Sequence, residues 1–171
     1  LSKIEAGKWQ LDEDEFSIEE CINDATVMVE GQAALKNIKI SLDQKQKGAV
    51  IKILGDANAF KRIILNLLAN SVKFTPQDGE IICRIFLNDD GSLSIEVIDN
   101  GIGIASDRIE HVISPFGQDH QIQDLNEAGT GLGLSIVKQL VELHGGNFKL
   151  TSEVDVGTCA NIIIPKERIV V

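Results

Sequence analysis

The stretch Asn66-Leu67-Leu68-Ala69-Asn70-Ser71-Val72-Lys73-Phe74-Thr75-Pro76 decides how this chain reads. Asn66, Asn70 and Lys73 recur at i, i+4 and i+7, so at about 100° per residue they share one narrow helical face. Phe60, Ile63, Ile64, Leu67, Leu68 and Ser71 fall on a face roughly 130° away, which predicts a helix packed on one side and presenting two amides and an ammonium on the other. Amide oxygens are hard ligands suited to Mg2+, and a lysine offers a point charge to phosphate. A solvated polar face with a lysine near the helix C-terminus would look the same.

Outward from this helix, which Gly55 and Asp56 start, the elements alternate. Ser17 and Glu20 form a capping box ahead of Ile18, Ile22, Ala25, Val29 and Ala33, predicting a core-facing helix to about Leu35. Ile38, Ile40 and Leu42 alternate with polar residues, as do Val50 or Ile51 and Ile53, so two strands follow. Ile81 to Leu87 and Leu93 to Ile98 read as a hairpin across Asn88, Asp89, Asp90 and Gly91, the second strand ending at Asp99. A short helix spans Ser106 to Val112, and the polar, glycine-bounded segment from Phe116 to Glu127 reads as a mobile loop. Gly131 to His144 is helical, Phe148 to Glu153 a strand, and Thr158 to Ile164 a closing strand ended by Pro165. The hairpins make the sheet mostly antiparallel, so the expected architecture is a two-layer α/β sandwich, a mixed sheet with helices on one face. Leu1 to Lys8 looks like the end of a helix stopping at Gly7, ahead of the acidic stretch from Asp12 to Glu15. The chain is expected to start in mid-element, with a processed terminus as the alternative.

Two glycine-rich turns add chemistry. Asp99-Asn100-Gly101-Ile102-Gly103-Ile104 follows a buried strand, where glycines let a ligand approach the backbone and a carboxylate can accept from an exocyclic amine; a strand-ending turn with an Asx cap is the plainer reading. Gly129-Thr130-Gly131-Leu132-Gly133-Leu134 opens a helix, so free N–H groups and the positive end of the helix dipole point toward an anion, as in a phosphate cradle; a flexible hinge is the alternative. This pattern fits neither the P-loop nor the dinucleotide-binding fingerprint.

The 171 residues suit one domain, and 43% hydrophobic with 25% charged residues is the balance of a soluble globular chain. With 26 acidic against 16 basic residues and a net charge of -10, a broad contact with nucleic acid or anionic lipid is not expected, and phosphate chemistry must be local. Cys21, Cys83 and Cys159 are far apart and in no Cys-x-x-Cys spacing, arguing against disulfides and structural zinc and for reduced, buried thiols. No apolar run approaches the roughly 20 residues that span a bilayer, so a cytoplasmic domain without membrane contact is expected. His111, His120 and His144 read as surface or capping histidines.

From about Phe16 to Pro165 the chain resembles the catalytic and ATP-binding domain of bacterial sensor histidine kinases, the Bergerat-fold family that also includes DNA gyrase, MutL and heat-shock chaperone ATPases. Asn66 to Pro76 resembles the kinase N box, Asp99 to Ile104 the first glycine box, and Gly129-Thr-Gly-Leu-Gly133-Leu-Ser-Ile-Val-Lys the second. Leu1 to Gly7 resembles the end of the preceding dimerisation helix, dividing the chain into residues 1–10 from that helix and a catalytic domain over 11–168.

The resemblance implies ATP and Mg2+ as cofactors, with Asn70 coordinating the metal, Asn66 beside it and Lys73 on the phosphates. Asp99 would accept from the adenine amino group, Gly101, Gly103 and Ile104 would shape the base pocket, and Gly129, Thr130, Gly131, Leu132, Gly133 and Leu134 the phosphate cradle. Thr158 would support the Asp99 end through its hydroxyl, and Phe116 to Glu127 would be the ATP lid, with Phe116 from the F box. Ile113 replaces the first phenylalanine of that box, Arg62 stands where glutamine is frequent, Ser71 where alanine is usual, and Ala160 where the closing strand commonly has phenylalanine.

The implied function is donation of the ATP γ-phosphoryl group to a histidine on a dimerisation and phosphoacceptor domain of the same protein, for relay to a response-regulator receiver domain. The acceptor histidine would lie before Leu1, leaving this piece monomeric within a homodimeric protein. A degenerate nucleotide-binding signalling module is the alternative. A gyrase- or MutL-type ATPase, or a serine kinase of the anti-sigma kind, is a further one. Arg62, at the place of the gyrase-type glutamate, and the absence of any acidic residue between Asp56 and Asp78 count against the gyrase type.

Overall fold

In the computed structural model, which describes residues 10–45, 50–114 and 133–170, the first helix starts where its cap demands. Ser17 accepts from the Glu20 N–H at 3.3 Å, satisfying one of the orphan donors of the first turn. Helix α1 (Ile18–Leu35) then buries Ile18, Cys21, Ile22, Ala25, Val29 and Ala33. It packs along α2 (Ala57–Phe74), capped by the Asp56 carboxylate on the Ala59 N–H at 3.0 Å. Each helix is followed by a tight turn and a strand, β2 (Lys39–Gln44) after α1 and β4 (Glu80–Leu87) after α2. Side-by-side helices with matching exits give side-by-side strands, and β2 pairs parallel with β4.

The two strands expected between the helices both form, and they go to different sheets. β2 lies at the edge of a five-stranded sheet, while β3 (Lys52–Gly55) pairs antiparallel with β1 (Asp14–Ser17) and with β8 (Ile169–Val170). β1 lies in the acidic stretch, and the two-residue β8 follows the predicted end of the last strand. Neither carries an alternating apolar pattern long enough to announce a strand.

The main sheet runs β2-β4-β5-β7-β6, with β5 (Leu93–Asp99), β7 (Gly157–Ile164) and β6 (Asn147–Glu153), and all its other pairs are antiparallel. Ile81, Cys83, Ile85, Leu93, Ile95, Val97, Ala160, Ile162 and Ile164 are buried in the core with α2 and with α4 (Gly133–Leu143). At about 1.5–3 kcal/mol for each large side chain fully removed from water, this layer contact is the main stabilising term. On the far face Arg84 pairs with Asp43 at 3.1 Å and Glu96 at 3.4 Å, tying three strands together. The expected two-layer α/β sandwich, mostly antiparallel with helices on one face, is the observed fold. A 3-10 turn (Ser106–Arg108) and a short α3 (Ile109–Ile113) occupy the predicted short helix.

All three cysteines are free thiols. Burial pushes the Cys21 thiol up to about 11 and Cys83 up to about 12. Cys159 is only half-buried, against the expectation that all three would be buried, because its position in β7 turns it to the polar side of the sheet.

His144 takes the capping role rather than the surface one: it is 0% exposed and joins two helix ends. Its Nδ1 lies 2.7 Å from the Leu140 carbonyl, and its Nε2 lies 3.1 Å from the Asp56 N–H. A carbonyl only accepts and an amide only donates, so the ring is the neutral Nδ1–H tautomer. Phe60 packs edge-on at 4.8 Å, and a Cβ on Gly55 would stand 2.9 Å from the ring.

Burial lowers the His144 pKa first of all; the Leu140 carbonyl opposes this, Arg168 adds to it, and Asp56 and Glu13 oppose it. The folded state therefore binds its proton at lower pH than the unfolded chain. The contribution is complete above the unfolded histidine value, about 6.5, and is lost as pH falls below it toward the depressed folded value. Urea unfolding from pH 8 to pH 5 should show this loss in the parent and a flatter profile in His144→Gln. Superimposable profiles would show that His144 does not titrate with folding.

Candidate active site

Helix α2 presents its polar face as the spacing predicts. Asn66, Asn70 and Lys73 are half-buried, while Phe60, Ile63, Ile64, Leu67, Leu68, Ser71 and Val72 are buried. Asn66 Nδ2 donates to the Arg62 carbonyl at 2.8 Å, which fixes the side-chain amide and leaves Oδ1 toward the start of α4. A Cβ on Gly133 would stand 3.3 Å from Asn66 Oδ1 and 3.6 Å from Asn70 Nδ2. The first residue of α4 thus lies against the amide pair of α2, 63 to 67 positions earlier in sequence. Lys73 Nζ lies 5.1 Å from the Phe74 ring centroid.

The C-terminal end of α2 is anchored by a residue the sequence does not single out. Lys36 Nζ donates to the carbonyls of Val72 at 2.9 Å, Lys73 at 2.7 Å and Thr75 at 3.3 Å. A cation there satisfies orphan carbonyls and opposes the negative end of the helix dipole. The Phe74 carbonyl receives the Ile102 N–H at 3.2 Å, so the first glycine turn is tied to the same helix end.

Asp99 closes β5 opposite Thr158. Its Oδ1 accepts the Gly101 N–H at 2.9 Å and its Oδ2 the Ser71 hydroxyl at 2.9 Å. Burial raises the Asp99 pKa, and the Gly101 amide, the Ser71 hydroxyl and the Thr158 backbone amide oppose that rise in decreasing order. Asp99 is thus a desolvated carboxylate that neutral donors hold as an acceptor. Gly101 has no room for a side chain, since a Cβ would stand 2.7 Å from the Phe74 carbonyl and 2.8 Å from Asp99 Oδ1.

The other wall is a small hydroxyl network. Ser152 Oγ accepts the Ile104 N–H at 2.8 Å, donates to the Gly157 carbonyl at 2.8 Å, and lies 2.8 Å from Thr158 Oγ1. The Thr158 hydroxyl therefore meets Ser152, and its backbone amide is the group that faces Asp99. Ser152 becomes visible only once β6 and β7 are in register and it lies opposite Thr158. Gly103, at φ +70°, runs against the Glu153 carbonyl, and Asp155 N–H bonds the Ile102 carbonyl at 2.9 Å. Ile104, Ile113 and Leu134 pack against the core.

The structure brings Asn66, Asn70, Lys73, Asp99, Gly101, Gly103, Ile104, Gly133, Leu134 and Thr158 to one end of the sandwich. Phe116, Gly129, Thr130, Gly131 and Leu132, the loop from Phe116 to Glu127, His120, and the helix end at Leu1 to Lys8 lie outside the described residues.

Among the described residues no group of three His, Cys, Asp or Glu could hold a metal ion. Asparagine oxygens at the mouth of the site do fit Mg2+, which keeps water and substrate phosphates as most of its ligands. No helix of the described residues is long and apolar enough to cross a membrane.

Residues 55–168 match the model of the histidine kinase-, DNA gyrase B- and HSP90-like ATPase family. An uncharacterised sensor-like histidine kinase of Rhizobium meliloti is 36% identical over 167 residues, 98% of this chain and 31% of that protein. The circadian input-output histidine kinase CikA of Synechococcus elongatus is 34% identical over 170 residues, 99% of this chain and 22% of its own length. The chain thus spans under a third of these relatives. Full-length ShkA, solved in complex with AMPPNP, superposes with a TM-score of 0.83 at 27% identity, over 96% of this chain and 33% of ShkA. The mycobacterial sensor histidine kinase MprB does so with a TM-score of 0.77 at 25% identity, over 90% of this chain and 97% of the solved one. With the family match covering its site and most of its length, the chain belongs to the histidine kinase-, DNA gyrase B- and HSP90-like ATPases, as a histidine kinase catalytic and ATP-binding domain.

Proposed function

We propose that this domain binds Mg2+-ATP and donates the γ-phosphoryl group to a histidine on a separate helical dimerisation and phosphoacceptor domain of a longer, dimeric protein, for relay to a receiver-domain aspartate. The observation that carries this is the meeting of the Asp99 carboxylate, the Asn66 and Asn70 amides and the first residue of α4 at one end of the sheet. Asp99 accepts from the amino group of adenine, and Gly101 and Gly103, whose missing side chains face the protein's own atoms, let the turn pack tightly enough to shape the base pocket. Asn70, with Asn66 beside it, would hold Mg2+, which when bound neutralises charge on the phosphates. Lys73 adds a cation, and the start of α4 at Gly133 supplies N–H groups.

An imidazole nitrogen from the partner domain attacks the γ-phosphorus, the bond to the β–γ bridging oxygen breaks, and ADP leaves. The work done here is positioning and charge neutralisation. α2 carries no acidic residue between its Asp56 cap and Asp78, so it offers no general base to a water, which favours a phosphoryl donor over a gyrase-type hydrolase. ATP supply and the reduced thiols of Cys21, Cys83 and Cys159 suit a cytoplasmic setting.

Calorimetric titration with a non-hydrolysable ATP analogue, with and without Mg2+, tests the reading on the parent and on Asn70→Asp. The parent should bind with an Mg2+-dependent affinity, and Asn70→Asp should lose that dependence and lower phosphotransfer to a supplied acceptor domain by about 100-fold or more. No saturable binding by the folded parent at millimolar nucleotide would overturn it. Binding without phosphotransfer would identify a nucleotide-dependent signalling module instead.

A further inference from the structure

The residues of α2 buried against its neighbours are apolar apart from Ser71, which is 5% exposed. A buried hydroxyl is costly unless bonded, and its partner is Asp99 Oδ2 at 2.9 Å, on another element and 28 residues away. An ionised carboxylate only accepts, so Ser71 donates. With the Gly101 N–H on Oδ1 at 2.9 Å, the two carboxylate oxygens take donors from different segments, and the Thr158 backbone amide adds a third. Together these donors fix the rotation of the carboxylate about its last bond, a torsion that is otherwise soft.

From this geometry we infer that Ser71 is a positioning residue for base recognition, orienting Asp99 so that its remaining lone pairs accept from a 6-amino purine and repel the carbonyl of a 6-oxo purine. The inference rests on the reading of Asp99 as the base-recognising group. An acceptor held in place selects a donor by direction as well as by charge, whereas one that can swing adapts to either ligand. The alanine usual at this position in the family lacks the hydroxyl, so this domain has a second means of setting the carboxylate. Removing the hydroxyl also removes one of the three groups that oppose the burial-driven rise of the Asp99 pKa. The acid limb of nucleotide binding then moves to higher pH.

The test is calorimetry with the non-hydrolysable analogues of ATP and GTP from pH 5 to 8, on the parent, Ser71→Ala, Asp99→Asn and the double variant. Ser71→Ala is expected to weaken the ATP analogue about tenfold, to narrow the preference over the GTP analogue, and to shift the acid limb upward. In the Asp99→Asn background the same substitution should change affinity less than about twofold, since the coupled partner is gone. Ser71→Ala with the parent's affinity, base preference and pH profile, beside an Asp99→Asn that loses binding, would overturn the role of Ser71 and leave that of Asp99 standing. Asp99→Asn binding as the parent does would overturn both. Should Ser71→Ala not fold, Ser71→Cys, similar in size with a weaker donor, takes its place with the same readouts.

Discussion

Asp99→Asn is expected to lower affinity for adenine nucleotides by on the order of 100-fold or more while folding at least as stably as the parent. The carboxylate accepts from Gly101 and Ser71 at 2.9 Å each, and on the proposed reading it also accepts from the base. The asparagine oxygen can keep the Gly101 N–H, and the Ser71 hydroxyl can turn to accept from the new amide nitrogen, but toward the base that nitrogen sets a donor against a donor.

Stability moves the other way. Burial raises the Asp99 pKa in the folded state, so as pH rises through the window between the unfolded and the raised folded values, ionisation opposes folding. Above that window the penalty is complete. Asparagine has no such penalty. Titration calorimetry and urea unfolding on the same samples separate the two effects: unchanged affinity would remove Asp99 from base recognition, and a large loss of stability would make its role structural. Nucleotide affinity in the parent should also decline as pH falls through the folded Asp99 value, because the protonated acid is a poorer acceptor.

Gly103→Ala is expected to destabilise the fold by about 3 kcal/mol, which for a domain of this size lowers the melting temperature by about 6–12 °C, and to weaken nucleotide binding with it. Gly103 sits at φ +70°, and an added Cβ would run into the Glu153 carbonyl, with Val154 Cα 2.9 Å away. Those are backbone atoms at the end of β6 and the start of the turn to β7, so no side-chain rotation relieves the clash. The turn would have to move, and with it the Ser152 hydroxyl that holds Ile104 and meets Thr158.

Gly31→Ala is the control. That glycine lies within α1 with nothing near its missing side chain, so alanine there should stabilise by about 0.5–1 kcal/mol. Equal melting temperatures for Gly103→Ala and the parent would mean that the glycine turn is not wedged between the strands.

The polar and apolar faces of α2, the capping serine of α1 and the hairpin of β4 and β5 were all legible in the sequence, because each is a pattern among residues close in sequence. The N box and the first glycine box were legible for the same reason: Asn66 to Pro76 and Asp99 to Ile104 are each contiguous, so their residue types and spacing could be matched without knowing where they meet.

What only the tertiary structure decided lies between elements. β1 and β8 are strands by virtue of β3 alone, since pairing supplies the hydrogen bonds that their short or charged sequences do not advertise. His144 reads as a helix-end histidine until the Asp56 N–H and Phe60 enclose it. Ser71 and Ser152 carry no pattern, because a lone serine is defined by what it faces, and that depends on register and on helix placement. Local chemistry is written in short intervals of sequence, whereas a buried hydroxyl acquires its partner through long-range packing. The sequence therefore determined the fold class and the local patterns of α2 and of the turn after β5, and the packing of α2 against the end of β5 determined how the Asp99 carboxylate is held.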